Sequence, residues 1–253
     1  MEIRVLGSYG GSTLTTRLTS FLINSSVAVD AGCLTQTLEL EEQSRITDVL
    51  ISHSHMDHIC SLPFLMDNIF GQSEQPLRVW GSHHVVTCLK KHVFNNVIWP
   101  DFSKIYYQGW PSIEFCTIEP GKSFSINDLE VTAIPVNHIV PTHAFYIEDS
   151  QGGFLFSSDT CNTDEVWEFA NLQDNLKAII VDCSFPNAMK QLAVDSGHMT
   201  PELLSLDLKK LKRACDIYIY HAKSSYEEQL HRELDALGLQ HLHRYIQGQV
   251  IRI

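Results

Sequence analysis

Residues 49–60 read VLISHSHMDHIC, and this stretch decides how the rest of the sequence is interpreted. The apolar run at residues 49–51 has the length and β-branching of a buried strand. Four side chains that can bind a metal follow it directly: His53, His55, Asp57 and His58. Alternation along an extended segment puts the first three on one side, and a turn at Asp57 brings in His58. Because Zn²⁺ accepts imidazole nitrogen and carboxylate oxygen as ligands, the stretch predicts a metal site at a strand end.

The length and composition bound the fold. The 253 residues fit one large α/β domain or two small ones, and we expect a single domain over residues 1–253. A hydrophobic content of 44% suffices for a full core. No apolar stretch approaches the ~20 residues of a membrane span, and the N-terminus lacks signal-peptide regions, so we expect no membrane partner. The seven cysteines are odd in number and form no C-x-x-C pair, which favours reduced thiols in the cytoplasm.

The net charge argues against long nucleic acid as a partner. A formal charge of −12 and only 18 Lys and Arg residues are unlike a protein that binds long nucleic acid, which needs a basic face. A small anion is still a suitable ligand, because a metal site supplies local positive charge inside an acidic protein.

Single His or Asp residues follow apolar strands at four later points: His138, Asp159, Asp182 and His221. One such residue usually belongs to a turn or caps a helix. Where several strands in series end in this way, we expect the strand ends to share one rim of the fold, which brings the His and Asp side chains together. Two metal sites then result, with Asp159 common to both. The predicted ligands are His53, His55, His138 and Asp159 for one ion, and Asp57, His58, Asp159 and His221 for the other. His143, five residues after His138, is an alternative ligand.

Strands followed by helices occur twice along the chain, which fits two sheets flanked by helices. A helix is expected from Thr200, its N-cap, to Arg213, and a closing strand over residues 245–253.

The loop at residues 95–102, NNVIWPDF, is unusual in composition. Asn95, Asn96 and Trp99 could form a lip that stacks on, and hydrogen-bonds to, a flat heterocycle. The alternative is a turn whose aromatic side chains pack on the body of the protein.

The motif HSHMDH, with His138, Asp159 and His221, resembles the metallo-β-lactamase superfamily. Three further segments narrow the resemblance to the class II cyclic nucleotide phosphodiesterases: HSHMDHICSLPFL, FNNVIWPDF, and VDCSFPN followed by SGHMTP. The similarity extends over about residues 5–223. Met56 stands where the family motif usually has Leu, a volume-conserving exchange.

This resemblance implies an α/β fold, a four-layer αββα metallo-β-lactamase sandwich of two mixed sheets flanked by helices. It also implies a dinuclear zinc centre, with Mn²⁺ or Fe as substitutes, and a homodimer. The implied reaction is the hydrolysis of 3′,5′-cyclic nucleotides, cAMP and/or cGMP, to 5′-nucleoside monophosphates.

The implied mechanism uses a hydroxide that bridges the two ions and attacks phosphorus in line with the 3′ oxygen. The departing oxygen needs a proton donor, and His198, held protonated by Asp182, is the candidate. His198 could instead cap the helix that starts at Thr200. The predicted catalytic residues are thus His198, Asp182 and the metal-binding Asp57.

The resemblance favours His138 as the ligand, which leaves His143 near the phosphate or the base. Lys223 is expected to contact the phosphate or to be a surface lysine. Asn95, Asn96 and Trp99 would frame the base.

Four alternatives stand beside this prediction. A tRNA 3′-end-processing-type endonuclease shares the Asp159-type bridge and the Asp182 and His198 pair, but it carries a long basic arm that is missing here. Another phosphodiesterase, or an acyl hydrolase such as a thioesterase, could use the same fold. A non-catalytic metal-binding relative would be expected to lack Asp159 or His198, and both are present.

Overall fold

The computed structural model describes residues 1–73, 75–244 and 246–253, and within them the strands form two large sheets and a short hairpin. In chain order the strands are β1 (Glu2–Gly7), β2 (Ser20–Ile23), β3 (Val27–Val29), β4 (Asp48–Leu50), β5 (Leu77–Gly81), β6 (Tyr106–Tyr107), β7 (Trp110–Pro111), β8 (Ile113–Thr117), β9 (Ser123–Ile126), β10 (Leu129–Val136), β11 (Thr142–Glu148), β12 (Gly153–Phe156), β13 (Leu176–Asp182), β14 (Asp216–Tyr220), β15 (Leu242–His243) and β16 (Val250–Arg252). The first sheet has the order β16-β1-β2-β3-β4-β5-β8, and the second has the order β15-β14-β13-β12-β11-β10-β9. Both are mixed, because each joins an antiparallel half to a parallel half.

Helices cover the outer face of each sheet. They are α1 (Leu34–Thr37), α2 (Leu40–Gln43), α3 (Met56–Ile59), α4 (Leu62–Ile69), α5 (His83–Cys88), α6 (Glu165–Leu172), α7 (Lys190–Asp195), α8 (Pro201–Leu208) and α9 (Glu227–Asp235). Side chains of α1, α4 and α5 pack in one cluster with the first sheet, and those of α6, α8 and α9 pack in another with the second. No helix in the described ranges is both long enough and apolar enough to cross a bilayer.

The strand β13 shows how the layers are held together. Ala178 and Ile180 belong to the core between the two sheets, whereas Ile179 and Val181 belong to the core beneath the helices. Successive side chains of a strand point to opposite faces, so a strand that is apolar on both faces is buried from both sides. The four-layer αββα sandwich is therefore confirmed.

Two elements are shorter than the sequence predicts. The helix that begins at Pro201 ends at Leu208 rather than Arg213. Beyond Leu208 the N–H groups of Lys210 and Leu211 donate to carbonyls only three residues back, and the Lys212 N–H donates to the Asn171 side chain (2.7 Å). The closing strand covers only Val250–Arg252. Tyr245, where it was expected to begin, lies outside the described residues.

Candidate metal centre

The predicted ligands lie where strands of both sheets end. The pair β3 and β4 is parallel in the first sheet, as are β12, β13 and β14 in the second, so their carboxyl ends share an edge within each sheet. His53 follows β4, Asp159 follows β12 and His221 follows β14. His138 follows β10, which runs in the same direction as β12 because both are antiparallel to β11.

The structure brings the first predicted ligand set together. The potential ligand atoms of His53, His55, His138 and Asp159 all lie within 4.8 Å of one another. His55 Nδ1 is 3.0 Å from His53 Nε2 and 3.2 Å from His138 Nε2. Three imidazole nitrogens therefore converge on one carboxylate, a donor set that suits a divalent cation.

The second predicted set is assembled in the same way from Asp57, His58, Asp159 and His221. His221 Nε2 is 3.2 Å from Asp57 Oδ2, and His58 Nε2 is 3.9 Å from the same oxygen. Asp57 and His58 belong to the short helix α3, so a helical turn, and not a loop, brings them side by side.

One oxygen of Asp159 belongs to both groups. Asp159 Oδ2 is 3.2 Å from His221 Nε2, 3.3 Å from His58 Nε2 and 3.7 Å from His53 Nε2. Its other oxygen, Oδ1, accepts a hydrogen bond from the Tyr220 hydroxyl at 2.7 Å. The buried Nε2 of His58 has no hydrogen-bond partner among the residues described, which fits a cation in this place.

In the first sheet, buried Asp30 orients two of the histidines. It accepts hydrogen bonds from His58 Nδ1 (2.7 Å), Ser52 N (2.8 Å) and Ser52 Oγ (2.8 Å). Because Ser52 donates its single proton to Asp30, its oxygen accepts from His53 Nδ1 at 3.0 Å. Both histidines therefore carry their proton on Nδ1 and present Nε2 to the ligand groups.

The second sheet repeats this arrangement. Ser184 Oγ donates to Asp182 Oδ1 (2.6 Å) and accepts from His221 Nδ1 (3.0 Å). His138 Nδ1 donates to the carbonyl of Gly197 (2.8 Å). A Cβ on Gly197, whose φ is +72°, would lie 2.6 Å from that nitrogen, so only glycine allows this contact.

The ionisation of four of the five histidines in the ligand groups supports metal binding. Burial lowers the pKa of His53, His55, His138 and His221, which keeps these imidazoles neutral and able to donate a lone pair. His58 differs, since burial opposes its charge but the carboxylates of Asp159 and Asp30 outweigh burial and raise its pKa.

His198 and Asp182 form a pair beside the second group. His198 Nδ1 lies 2.7 Å from Asp182 Oδ2, and the His198 ring stacks on the His221 ring at 4.9 Å between centroids. Burial lowers the pKa of His198, but the charge of Asp182 and the hydrogen bond to it dominate, so the pKa is raised. The Thr200 side chain, and not His198, accepts the hydrogen bond that caps α8.

Two other predicted residues, His143 and Lys223, lie outside the two ligand groups. His143 is buried at the start of β11, outside both ligand groups, and its Nδ1 finds no hydrogen-bond partner in the described ranges. Lys223 Nζ donates to the Gly10 carbonyl (3.0 Å) and lies 5.9 Å from the Phe185 ring centroid. A Cβ on Gly10 would sit 2.4 Å from His221 Cε1, so that loop lies directly against the second group.

The loop at residues 95–102 uses much of its polarity internally. Asn95 Nδ2 donates to the Lys91 carbonyl (2.9 Å), and Asn95 Oδ1 accepts from the N–H groups of Val97 and Ile98. Asn96 Oδ1 accepts from the Asp101 N–H (2.9 Å). The Trp99 ring packs edge-on against Phe64 at 5.1 Å between centroids. The structure therefore gives Asn95 a role in shaping this loop.

Sequence reasoning missed five residues that orient the predicted ligands: Asp30, Ser52, Ser184, Gly197 and Tyr220. Asp30 follows the strand β3 just as the predicted residues follow theirs, and applying that rule once more would have found it. The Ser184 and Tyr220 contacts depend on pairing between strands far apart in sequence, which no local pattern reveals.

We predict that Asp30→Asn weakens metal binding by about 10- to 100-fold, because the charged partner of His58 is lost. Asn is the suitable replacement, since residue 30 has φ +56° and Asn tolerates this conformation. Metal titration followed by elemental analysis measures the effect. Asp128→Asn, in an exposed turn, is the control, and equal metal affinity in the two variants would contradict this role.

Known proteins resemble this chain in sequence and in fold. A 3′,5′-cyclic-nucleotide phosphodiesterase of Schizosaccharomyces pombe is 30% identical over 203 residues, covering 71% of this chain and 55% of that protein. The chain spans about half the length of this relative and of a similar one from Saccharomyces cerevisiae. Unliganded yeast PDE1 has the same fold, with a TM-score of 0.81 at 20% identity over 100% of this chain and 99% of that one. The metallo-β-lactamase fold protein YhfI of Bacillus subtilis superimposes with a TM-score of 0.79 at 18% identity, over 99% and 98% of the two chains.

The family follows from the sequence profile. The profile of the class-II cAMP phosphodiesterases matches residues 14–245, which include both ligand groups, the loop at residues 95–102 and the pair of Asp182 and His198. The resemblance found in the motifs is thus confirmed, and this chain belongs to the class-II cAMP phosphodiesterase family.

Proposed function

We propose that this protein hydrolyses 3′,5′-cyclic nucleotides, cAMP and/or cGMP, to 5′-nucleoside monophosphates. The observation that carries the proposal is the histidine pair at the second ligand group. His198, paired with Asp182, stacks on His221 (4.9 Å between ring centroids), so a proton donor stands beside a metal-binding residue. Both features favour hydrolysis of a phosphodiester, because a metal ion supplies hydroxide and stabilises phosphate charge, and an acid protonates the alkoxide that leaves.

The cofactor we propose is two Zn²⁺ ions, with Mn²⁺ or Fe as substitutes. His53, His55, His138 and Asp159 would hold one ion, and Asp57, His58, Asp159 and His221 the other. Such ions, when bound, neutralise phosphate charge and make hydroxide available near neutral pH.

His198 would supply the proton to the 3′ oxygen. Its Nδ1 is occupied by Asp182, which leaves Nε2 to deliver a proton to the departing group. The raised pKa of His198, caused by Asp182 against the effect of burial, favours the protonated form that this step requires.

Roles in substrate binding, by direct contact or by shaping the site, are proposed for five residues outside the ligand groups: Asn95, Asn96, Trp99, His143 and Lys223. Asn96 is exposed on the loop, and Asn95 braces that loop from within, so we propose that Asn96 and Trp99 frame the base. Lys223 lies next to Gly10 and would contact the phosphate, with His143 nearby.

Trp99→Ala is expected to raise KM, because the base loses an aromatic surface on which to stack. An unchanged KM for every cyclic nucleotide would contradict this role of Trp99.

We also propose a homodimer in the cytoplasm. All seven cysteines lie in the described ranges and are unpaired there, which suits a reducing compartment. Phe70, Tyr106 and Trp110 are exposed apolar side chains of a kind that subunit contacts bury. Light scattering should give twice the 28.7 kDa chain mass.

The function is tested by a panel of substrates: cAMP, cGMP, a 2′,3′-cyclic nucleotide, a thioester and a tRNA precursor. We expect turnover of a 3′,5′-cyclic nucleotide that is lost on chelation and restored by Zn²⁺. A chain active only on the thioester, or only on the tRNA precursor, would overturn the proposal.

We predict that His198→Ala lowers turnover at saturating substrate by about 10²- to 10⁴-fold, because the leaving oxygen loses its proton donor. The control is His92→Ala, at an exposed histidine on the segment after α5. A loss smaller than about 10-fold would remove His198 from the acid role.

A further inference from the structure

Tyr220 is the last residue of β14, and its buried phenol contacts the carboxylate that the two ligand groups share. The hydroxyl lies 2.7 Å from Asp159 Oδ1, and a carboxylate can only accept, so the phenol is the donor. We propose that Tyr220 is a positioning residue that restricts Asp159 to offering one oxygen, Oδ2, to both metal positions. The inference rests on the dinuclear centre proposed above.

The two oxygens of the Asp159 carboxylate have different neighbours. Oδ2 lies 3.2 to 3.7 Å from Nε2 atoms of His221, His58 and His53, which come from both groups. Oδ1 is engaged by Tyr220. If Oδ1 were free, the carboxylate could rotate and give one oxygen to each ion, which would alter the coordination of both.

The phenol is held rigidly enough to impose this restriction. The Tyr220 ring is packed in the core between the sheets, with ring centroids 5.0 Å from Phe156 and 6.1 Å from Phe21. The backbone of Tyr220 also pairs with Asp182 of β13, next to the strand that leads to Asp159. Packing from both sheets thus fixes the hydroxyl, and the hydroxyl in turn fixes the carboxylate.

The hydrogen bond of the Tyr220 hydroxyl can be tested separately from the packing of its ring. A Phe at this position would fill the same space and lose only the hydroxyl. The position therefore separates the packing of the ring from the hydrogen bond, and the variant Tyr220→Phe tests the hydrogen bond alone. The matched control is Tyr218→Phe on the same strand, whose ring stacks on His243 at 4.5 Å.

The experiment measures metal binding, not turnover. Metal-free wild type, Tyr220→Phe and Tyr218→Phe are titrated with Zn²⁺ and with Co²⁺. Affinity, ions bound per chain and the Co²⁺ absorption spectrum are recorded, and folding is verified by circular dichroism. For Tyr220→Phe we expect one of two ions to bind about 10- to 100-fold more weakly, with a changed Co²⁺ spectrum. Tyr218→Phe should match the wild type.

The outcomes separate this inference from the proposed function. Two ions in the wild type, with unchanged affinity and spectrum in Tyr220→Phe, would overturn the inference and leave the proposed function intact. Fewer than two ions in the wild type would overturn the dinuclear centre and this inference with it, whereas the hydrolysis itself stands or falls by the substrate panel. If Tyr220→Phe does not fold, a structure of the Zn²⁺-loaded wild type decides: an Oδ1 atom held by Tyr220 supports the inference, and an Oδ1 atom bound to an ion overturns it.

Discussion

A single buried carboxylate, Asp159, is the constraint on which the centre depends. Burial alone would raise the pKa of this group, yet the interactions with the imidazoles of His221 and His58 hold it well below the ordinary range. Its neighbours must therefore be fixed relative to it, because an unpaired buried charge is strongly destabilising. The αββα sandwich meets this requirement by bringing strand ends of two sheets around one residue.

Both sheets fix the histidines around Asp159 with the same pattern of hydrogen bonds. In each, a buried aspartate binds one histidine directly and a second histidine through a serine: Asp30, His58, Ser52 and His53 in the first sheet, and Asp182, His198, Ser184 and His221 in the second. The first aspartate thus orients two ligands. The second orients one ligand and the proposed acid, so His198 occupies a position constructed like that of a ligand. The same arrangement of aspartate and serine that would hold metal ligands in place on one side would present the proposed acid, His198, on the other.

Much of this was predictable where the chemistry is local. The order H-x-H-x-D-H predicts four ligands because they lie within six residues, and strand ends added His138, Asp159 and His221 to the predicted set. Residue spacing left the choice between His138 and His143 open. What distinguishes the two histidines is the contact of His138 with the Gly197 carbonyl, which comes from a distant part of the chain. The helix α3 and the internal hydrogen bonds of Asn95 were missed because they depend on the exact path of the chain between elements.

Backbone strain explains why the remaining features are invisible to a local pattern. Asp30, Ser158 and His221, each just beyond a strand, have φ of +56°, +55° and +68°. Such a conformation costs an L-residue of order 1–3 kcal/mol, and glycine would avoid that cost. Glycine is no substitute at Asp30 and His221, because their side chains are the ones that bind. The chain therefore turns sharply at residues that local preference disfavours, and only the paired strands on either side make that turn stable.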